Sequence, residues 1–162
     1  MSTFSVGDQV VVPAFGIGII ESIQTTVMEE IEYALYVVKV EENGIVFKVP
    51  VDQAEEKGLR YPMSKADVKG VYEVLKDRET PRDKQTWNRR YRAYMTKIKT
   101  GDPLQVAEVL RDLAMLKAEK QLSFGERKMY DQAHGLVVQE CVIAKEISTE
   151  KIEKEIDKIF AV

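Results

Sequence analysis

The side chains that do covalent or metal chemistry are scarce in this sequence. Its one histidine, His134, and its one cysteine, Cys141, stand seven positions apart. On a helix that is about 700° of rotation, so the two share a face but lie two turns apart, too far for a nucleophile and its base. No Cys/His spacing suits zinc, and no glycine-rich loop leads into a helix as a phosphate cradle would. Gly16 and Gly18 sit in a strand-like run with no helix behind them, which is not a dinucleotide fingerprint. The expectation is a protein that is not an enzyme and uses no metal or cofactor. What the chain does offer is an anion-gripping stretch over residues 84–97, KQTWNRRYRAYMTK, with the only tryptophan. Residues 82–99 hold seven Lys or Arg against one acid, Asp83, although the whole chain carries a net charge of −3. A dense positive run in an acidic protein suits a local contact with a phosphate backbone.

The spacing in that run predicts a helix. Residues 85–100 contain no glycine or proline, and Thr86 can cap a helix starting at Trp87. At about 100° per residue, Trp87, Tyr91, Tyr94 and Ile98 form one stripe with Met95 at its edge. Arg90 and Lys97 flank the stripe on one side, Arg92 and Lys99 on the other, and Arg89 faces away. Two roles for Trp87 follow from this geometry. It either begins the buried stripe, as tryptophans usually do, or reaches past the packed body at the helix start. Backbone N–H groups at that start favour an anion, and an apolar wedge among arginines can enter a base step there.

Composition limits the alternatives. The chain has 162 residues, 44% hydrophobic and 31% charged, which fits one large or two small globular domains. A pI near 5.4 argues against a general nucleic-acid coat and leaves room only for a local footprint. Cys141 lies in an apolar run and reads as a buried thiol. Residues 1–8 lack the basic start and apolar core of a signal peptide, and no run approaches the roughly 18 apolar residues of a membrane span. A cytoplasmic protein without membrane contact is the expectation.

The elements that position the basic run change character once along the chain. Residues 9–13, 17–23, 33–40 and 45–50 read as short strands, with residues 58–60 as a possible fifth. Residues 25–31 read as a connection. Asn43-Gly44 reads as a tight hairpin turn with positive φ at both positions. Close, short strands with no helix between them predict a small antiparallel barrel. From residue 63 the period becomes helical. Helices are expected over residues 65–76, from Trp87 to about 100, from Pro103 to about 120, to about 145, and at the C-terminus. Their starts are marked by Ser64 with Asp67, by Asp102-Pro103, by Ser123 with Glu126, and by Ser148. The fold class is therefore α+β: a small barrel over residues 1–62 and a compact all-helical domain of about five helices over residues 63–162.

Several motifs carry a resemblance that runs nearly the full length. The chain resembles the CarD/CdnL family of bacterial RNA-polymerase-binding transcription regulators. The motifs are F-x-V-G-D-x-V-V-x-P-x-x-G at residues 4–16, V-F-K-V-P at 46–50 and W-x-R-R-Y-R-A at 87–93. V-A-E-V-L-R-D-L at 106–113 and L-S-x-x-E-R at 122–127 complete the set. The first is shared with the polymerase-interacting module of transcription–repair coupling factors, whereas the tryptophan motif is the most specific.

The resemblance implies a Tudor-like barrel that docks on the β subunit of RNA polymerase by strand contact. Val46, Lys48 and Pro50 would lie at that contact, as would Thr26. There Thr25-Thr26 stand where the family often carries a basic residue. It also implies that Trp87, Arg89, Arg90, Tyr91, Arg92 and Arg127 meet promoter DNA through its minor groove and phosphates, without reading sequence. The protein would then act as a monomer in the complex and stabilise the open promoter. Two other readings stay open: a polymerase adaptor with no DNA contact, in which Trp87 is core, and an RNA-binding module. A cluster of exposed aromatic residues with basic neighbours on the barrel would favour the latter, and its strands show no such cluster.

Overall fold

A computed structural model describes residues 3–81 and 84–161. Arg82 and Asp83, counted in the basic run, lie outside the described residues. The chain divides into two compact units that meet between Pro62 and Met63.

The first unit is a four-stranded antiparallel meander: β1 (Gln9–Val12), β2 (Gly16–Met28), β3 (Ile31–Val40) and β4 (Val46–Pro50), in that spatial order. The sheet curls into a half-barrel around Phe4, Val10, Val12, Ile20, Tyr36, Val38 and Val40. Alternation explains the pattern, since successive side chains of a strand point to opposite faces. Phe47 and Val49 turn inward to pack on this core while Val46 and Lys48 turn out. Phe4 closes one end. Its ring meets Tyr36 edge-on at 5.6 Å, and its N–H donates to the Tyr36 hydroxyl at 2.9 Å. Gly18 is fixed by space, because a Cβ there would lie 2.8 Å from Val38 Cγ1.

Three expectations for this unit need correction. Residues 25–28 are not a connection but the end of β2, and the turn is only Glu29-Glu30, both at positive φ (50° and 65°). Asn43-Gly44 is not a two-residue turn. Gly44 alone takes positive φ (74°), Asn43 Oδ1 accepts from the Ile45 N–H at 3.0 Å, and the loop is longer. The possible fifth strand is reduced to one bridge between Arg60 and Val11.

The second unit holds α1 (Lys65–Lys76), α2 (Trp87–Lys99), α3 (Pro103–Glu119), α4 (Phe124–Lys145) and α5 (Thr149–Phe160). The expected caps form. Ser64 with Asp67 and Ser123 with Glu126 make reciprocal capping boxes, Asp102 Oδ1 accepts from the Leu104 N–H at 2.9 Å, and Ser148 accepts from Lys151. Thr86 takes the cap position of α2 without a side-chain hydrogen bond. Central α3 buries Val106, Ala107, Val109, Leu110 and Leu113, against which α1, α2 and α4 pack. Buried Arg111 is neutralised by Asp112 at 2.9 Å and by Asp77 at 3.4 Å. Among the described residues no helix is long and apolar enough to cross a membrane.

Candidate functional site

Helix α2 leaves the packed body as it runs back toward its N-terminus. Ile98 and Tyr94 are buried, Met95 and Trp87 are half-buried, and Tyr91 is 47% exposed. The stripe read from the sequence is thus core at one end and surface at the other, because α2 packs on α3 mainly through its last turns. Trp87 is neither a full core residue nor a free one.

Its indole has a defined seat. Tyr91 meets it edge-on at 5.9 Å and Tyr94 lies 6.5 Å away. The Arg90 guanidinium stacks over it, 5.0 Å from the ring centroid. Beneath lies Gly125, where a Cβ would come within 2.9 Å of Trp87 Nε1. Only glycine lets the ring rest on the start of α4.

Arg90 is held in turn. Its Nη2 donates to Glu126 Oε2 at 3.0 Å, and its Nε donates to the Gln85 carbonyl at 3.2 Å. Glu126 is 2% exposed. Burial alone would raise its carboxyl pKa. The Ser123 N–H at 2.9 Å, Arg90, the Ser123 hydroxyl and Lys120 at 3.3 Å outweigh that and hold it at about 2. A charge-assisted pair with its remaining lone pairs satisfied is a rigid joint. Arg90 therefore differs from its neighbours. Arg89, Arg92 and Arg127 are exposed and, among the described residues, pair with no carboxylate. The sequence motif treats all four as alike, whereas the structure makes one a bracket for the indole and leaves three turned to solvent.

Sequence reasoning passed over Gly125, Glu126 and Phe124 as members of this site. It read Ser123 and Glu126 only as a cap. The available signal was a glycine placed inside a helix start that already had a capping box, where no turn requires it. Phe124 beside them is 85% exposed.

In the first unit, Val46, Lys48, Pro50 and Thr26 share one face. Val46 opposes Lys39, Lys48 opposes Val37, Pro50 opposes Leu35, and Thr26 opposes Tyr33. Those β3 partners alternate, so all four point away from the core. Lys48 and Thr26 stand on opposite sides of β3, offset by four positions, or about 13 Å, along it. β4 is an edge of the sheet. Beyond β4 the β2–β3 hairpin continues as a two-stranded arm, with Val27, Met28 and Ile31 exposed.

The lone histidine and cysteine are structural in placement. His134 is half-buried and stacks on Tyr130 at 5.8 Å. Cys141 is buried, which pushes its thiol up to about 12, and nearby Glu140 adds to the shift. Such a thiol is a poor nucleophile. Among the described residues no cluster of His, Cys, Asp or Glu could hold a metal ion.

Comparisons with known proteins match both units. Residues 4–63 match the family described as CarD-like/TRCF RID domain. Residues 70–157 match CarD, C-terminal domain. The "Putative transcription factor YdeB" of Bacillus subtilis (strain 168) is 31% identical over 150 residues, covering 93% of this chain and 97% of that protein. With two successive domain matches and a relative aligned end to end, the chain belongs to the CarD family of transcription factors.

Proposed function

We propose that this protein binds the β subunit of RNA polymerase through the outward face and free edge of β4, and that it stabilises the promoter open complex by setting Trp87 against DNA at the upstream edge of the bubble. The observation that carries this reading is the seat of Trp87. A large ring at a helix start is braced from behind by Gly125 and by the Arg90–Glu126 pair, yet stays half-exposed. A rigid mount under a partly exposed ring suits a wedge, since ordering cost is met before binding. Exposed Arg92 and Arg127, with Arg89 on the far side of α2, suit phosphates, which position a protein without reading bases. In the first unit, Lys48 on an edge strand suits strand addition with a charged contact beside it.

One experiment tests both halves. Trp87→Ala and Lys48→Glu are compared in polymerase β-subunit binding and in open-complex lifetime on one promoter. Trp87→Ala keeps β binding and shortens the lifetime by roughly 5- to 150-fold, the worth of about 1–3 kcal/mol of base–aromatic contact. Lys48→Glu weakens β binding while the protein stays folded. An unchanged lifetime with Trp87→Ala at saturating protein favours the adaptor without DNA contact.

A further inference from the structure

Phe124 is the most exposed of the large apolar side chains among the described residues, at 85%. It opens α4, directly before the glycine on which the Trp87 indole rests. A solvated phenylalanine contributes nothing to the core, and at the first helical position Phe has only middling helix propensity. Neither packing nor capping calls for it, since Ser123 and Glu126 already close the helix start without it.

The helix face that Phe124 shares is cationic. On α4 the residues three and four positions on, Arg127 and Lys128, share its face and are exposed. On α2, whose tryptophan sits against Gly125, Arg92 is also exposed. An apolar ring standing among cations fits a partner that is polyanionic outside and apolar within. Nucleic acid with an accessible base step has that chemistry, with phosphates for the cations and stacked base faces for the ring. A protein partner for the same face would have to be strongly acidic around an apolar pocket.

We propose that Phe124 is a second DNA-contacting residue, presenting its ring to the same stretch of DNA as Trp87, with Arg127 and Lys128 on the adjoining phosphates. The proposal rests on the DNA-wedge reading of Trp87. The two rings, linked through Gly125, divide the work. Trp87, braced by Arg90, is the fixed member. Phe124, unbraced, adapts to the sugar and base edge beside it.

The test uses the full-length protein, RNA polymerase holoenzyme and a promoter fragment, with open-complex lifetime and β-subunit binding as readouts. Phe124→Ala is expected to shorten the lifetime by between about 5- and 150-fold, as removing a base–aromatic contact does. Melting temperature and β-subunit binding stay at wild-type values, because the ring is solvated. Phe124→Tyr keeps the aromatic face and keeps most of the lifetime. If Trp87→Ala shortens the lifetime and Phe124→Ala does not, the inference about Phe124 fails alone. If neither variant changes it, the reading of the whole site fails. Abolished polymerase binding by Phe124→Ala would instead make the ring a protein contact and overturn the inference.

Discussion

A methyl group at Gly125 would lie 2.9 Å from Trp87 Nε1, 3.4 Å from Cε2 and 3.5 Å from Cζ2. The indole is rigid, so the ring must swing as a whole to make room, and it would leave the Arg90 guanidinium as it does so. Gly125→Ala therefore separates stability from function by sign. In the first turn of α4, alanine is the better helix former, worth up to about 1 kcal/mol. The half-buried packing it disturbs costs a comparable amount, so net stability stays within about 1 kcal/mol of wild type. The seat that the proposed wedge needs is lost all the same. The expected result is a changed Trp87 emission and quenching, a near-native melting temperature and a shortened open-complex lifetime. Native fluorescence with a normal lifetime would mean that the ring has room the structure denies it. The same residue explains why Trp87 divided two readings of the sequence. Periodicity places its Cβ on the buried stripe, but how far a stripe stays buried depends on where the neighbouring helix ends. No local pattern carries that.

At the scale of elements, Glu126 links two helix starts. It closes the capping box of α4 and receives Arg90 from the first turn of α2. Its carboxyl titrates at about 2 in the folded protein against an ordinary value of 4.5. A depressed pKa gives stability that is fully present above about pH 4.5 and is lost as pH falls toward 2. The shift corresponds to up to about 3 kcal/mol. Asp8, Asp77 and Glu155 are also held low by their hydrogen bonds, so wild type loses stability in acid from several groups together. Glu126→Gln isolates one. It should destabilise at neutral pH, and the gap between wild type and variant should narrow between about pH 4.5 and 2. A gap that stays constant across that range would remove Glu126 as the titrating group.

The elements themselves were largely legible. The switch from two-residue to helical period near residue 63, the capping boxes at Ser64 and Ser123, and the Asp102-Pro103 start rest on local chemistry that the fold has no reason to override. The β2–β3 turn was not legible, because it is set by pairing rather than by turn propensity. After a one-residue shift between Ile20 and Ser22, Ile23 opposite Tyr36 sets the register of the outer half of the hairpin. Counting outward from that pair leaves only Glu29-Glu30 for the turn, two residues of the wrong type for positive φ. Asn43-Gly44 is the preferred turn sequence, yet it sits in a loop whose length is decided by where β4 can pair with β3. In the site, the arginines could be told apart only by helix face, because sequence gives charge but not partners. Arg90 differs through Glu126, 36 positions away.

Over the whole molecule, charge is segregated rather than balanced. A chain with a net charge of −3 carries its cationic excess in and around α2 and the start of α4. If the chain meets DNA as proposed, long-range attraction is weak and binding would depend on a few cations close to phosphates, where each neutralised phosphate releases counterions. The three exposed arginines and the bracketed one then make different forecasts. Removing Arg89, Arg92 and Arg127 together should lower the slope of log affinity against log salt by up to about 3, at about 0.9 for every phosphate left without its arginine. Melting should barely change, since exposed cations with no carboxylate partner among the described residues contribute little to stability. Arg90→Ala should do the reverse. It leaves buried Glu126 short of its counter-charge, which costs about 3–5 kcal/mol when a buried pair loses one member, less whatever Lys120 recovers. It should leave the salt slope near wild type for whatever protein remains folded. The measurement is binding of the full chain to polymerase–promoter complexes across a salt series, with melting curves for the same variants. Equal slopes for wild type and the triple variant would show that the exposed arginines do not meet phosphates. A lowered slope for Arg90→Ala at unchanged melting would show that its guanidinium leaves Glu126 when DNA arrives.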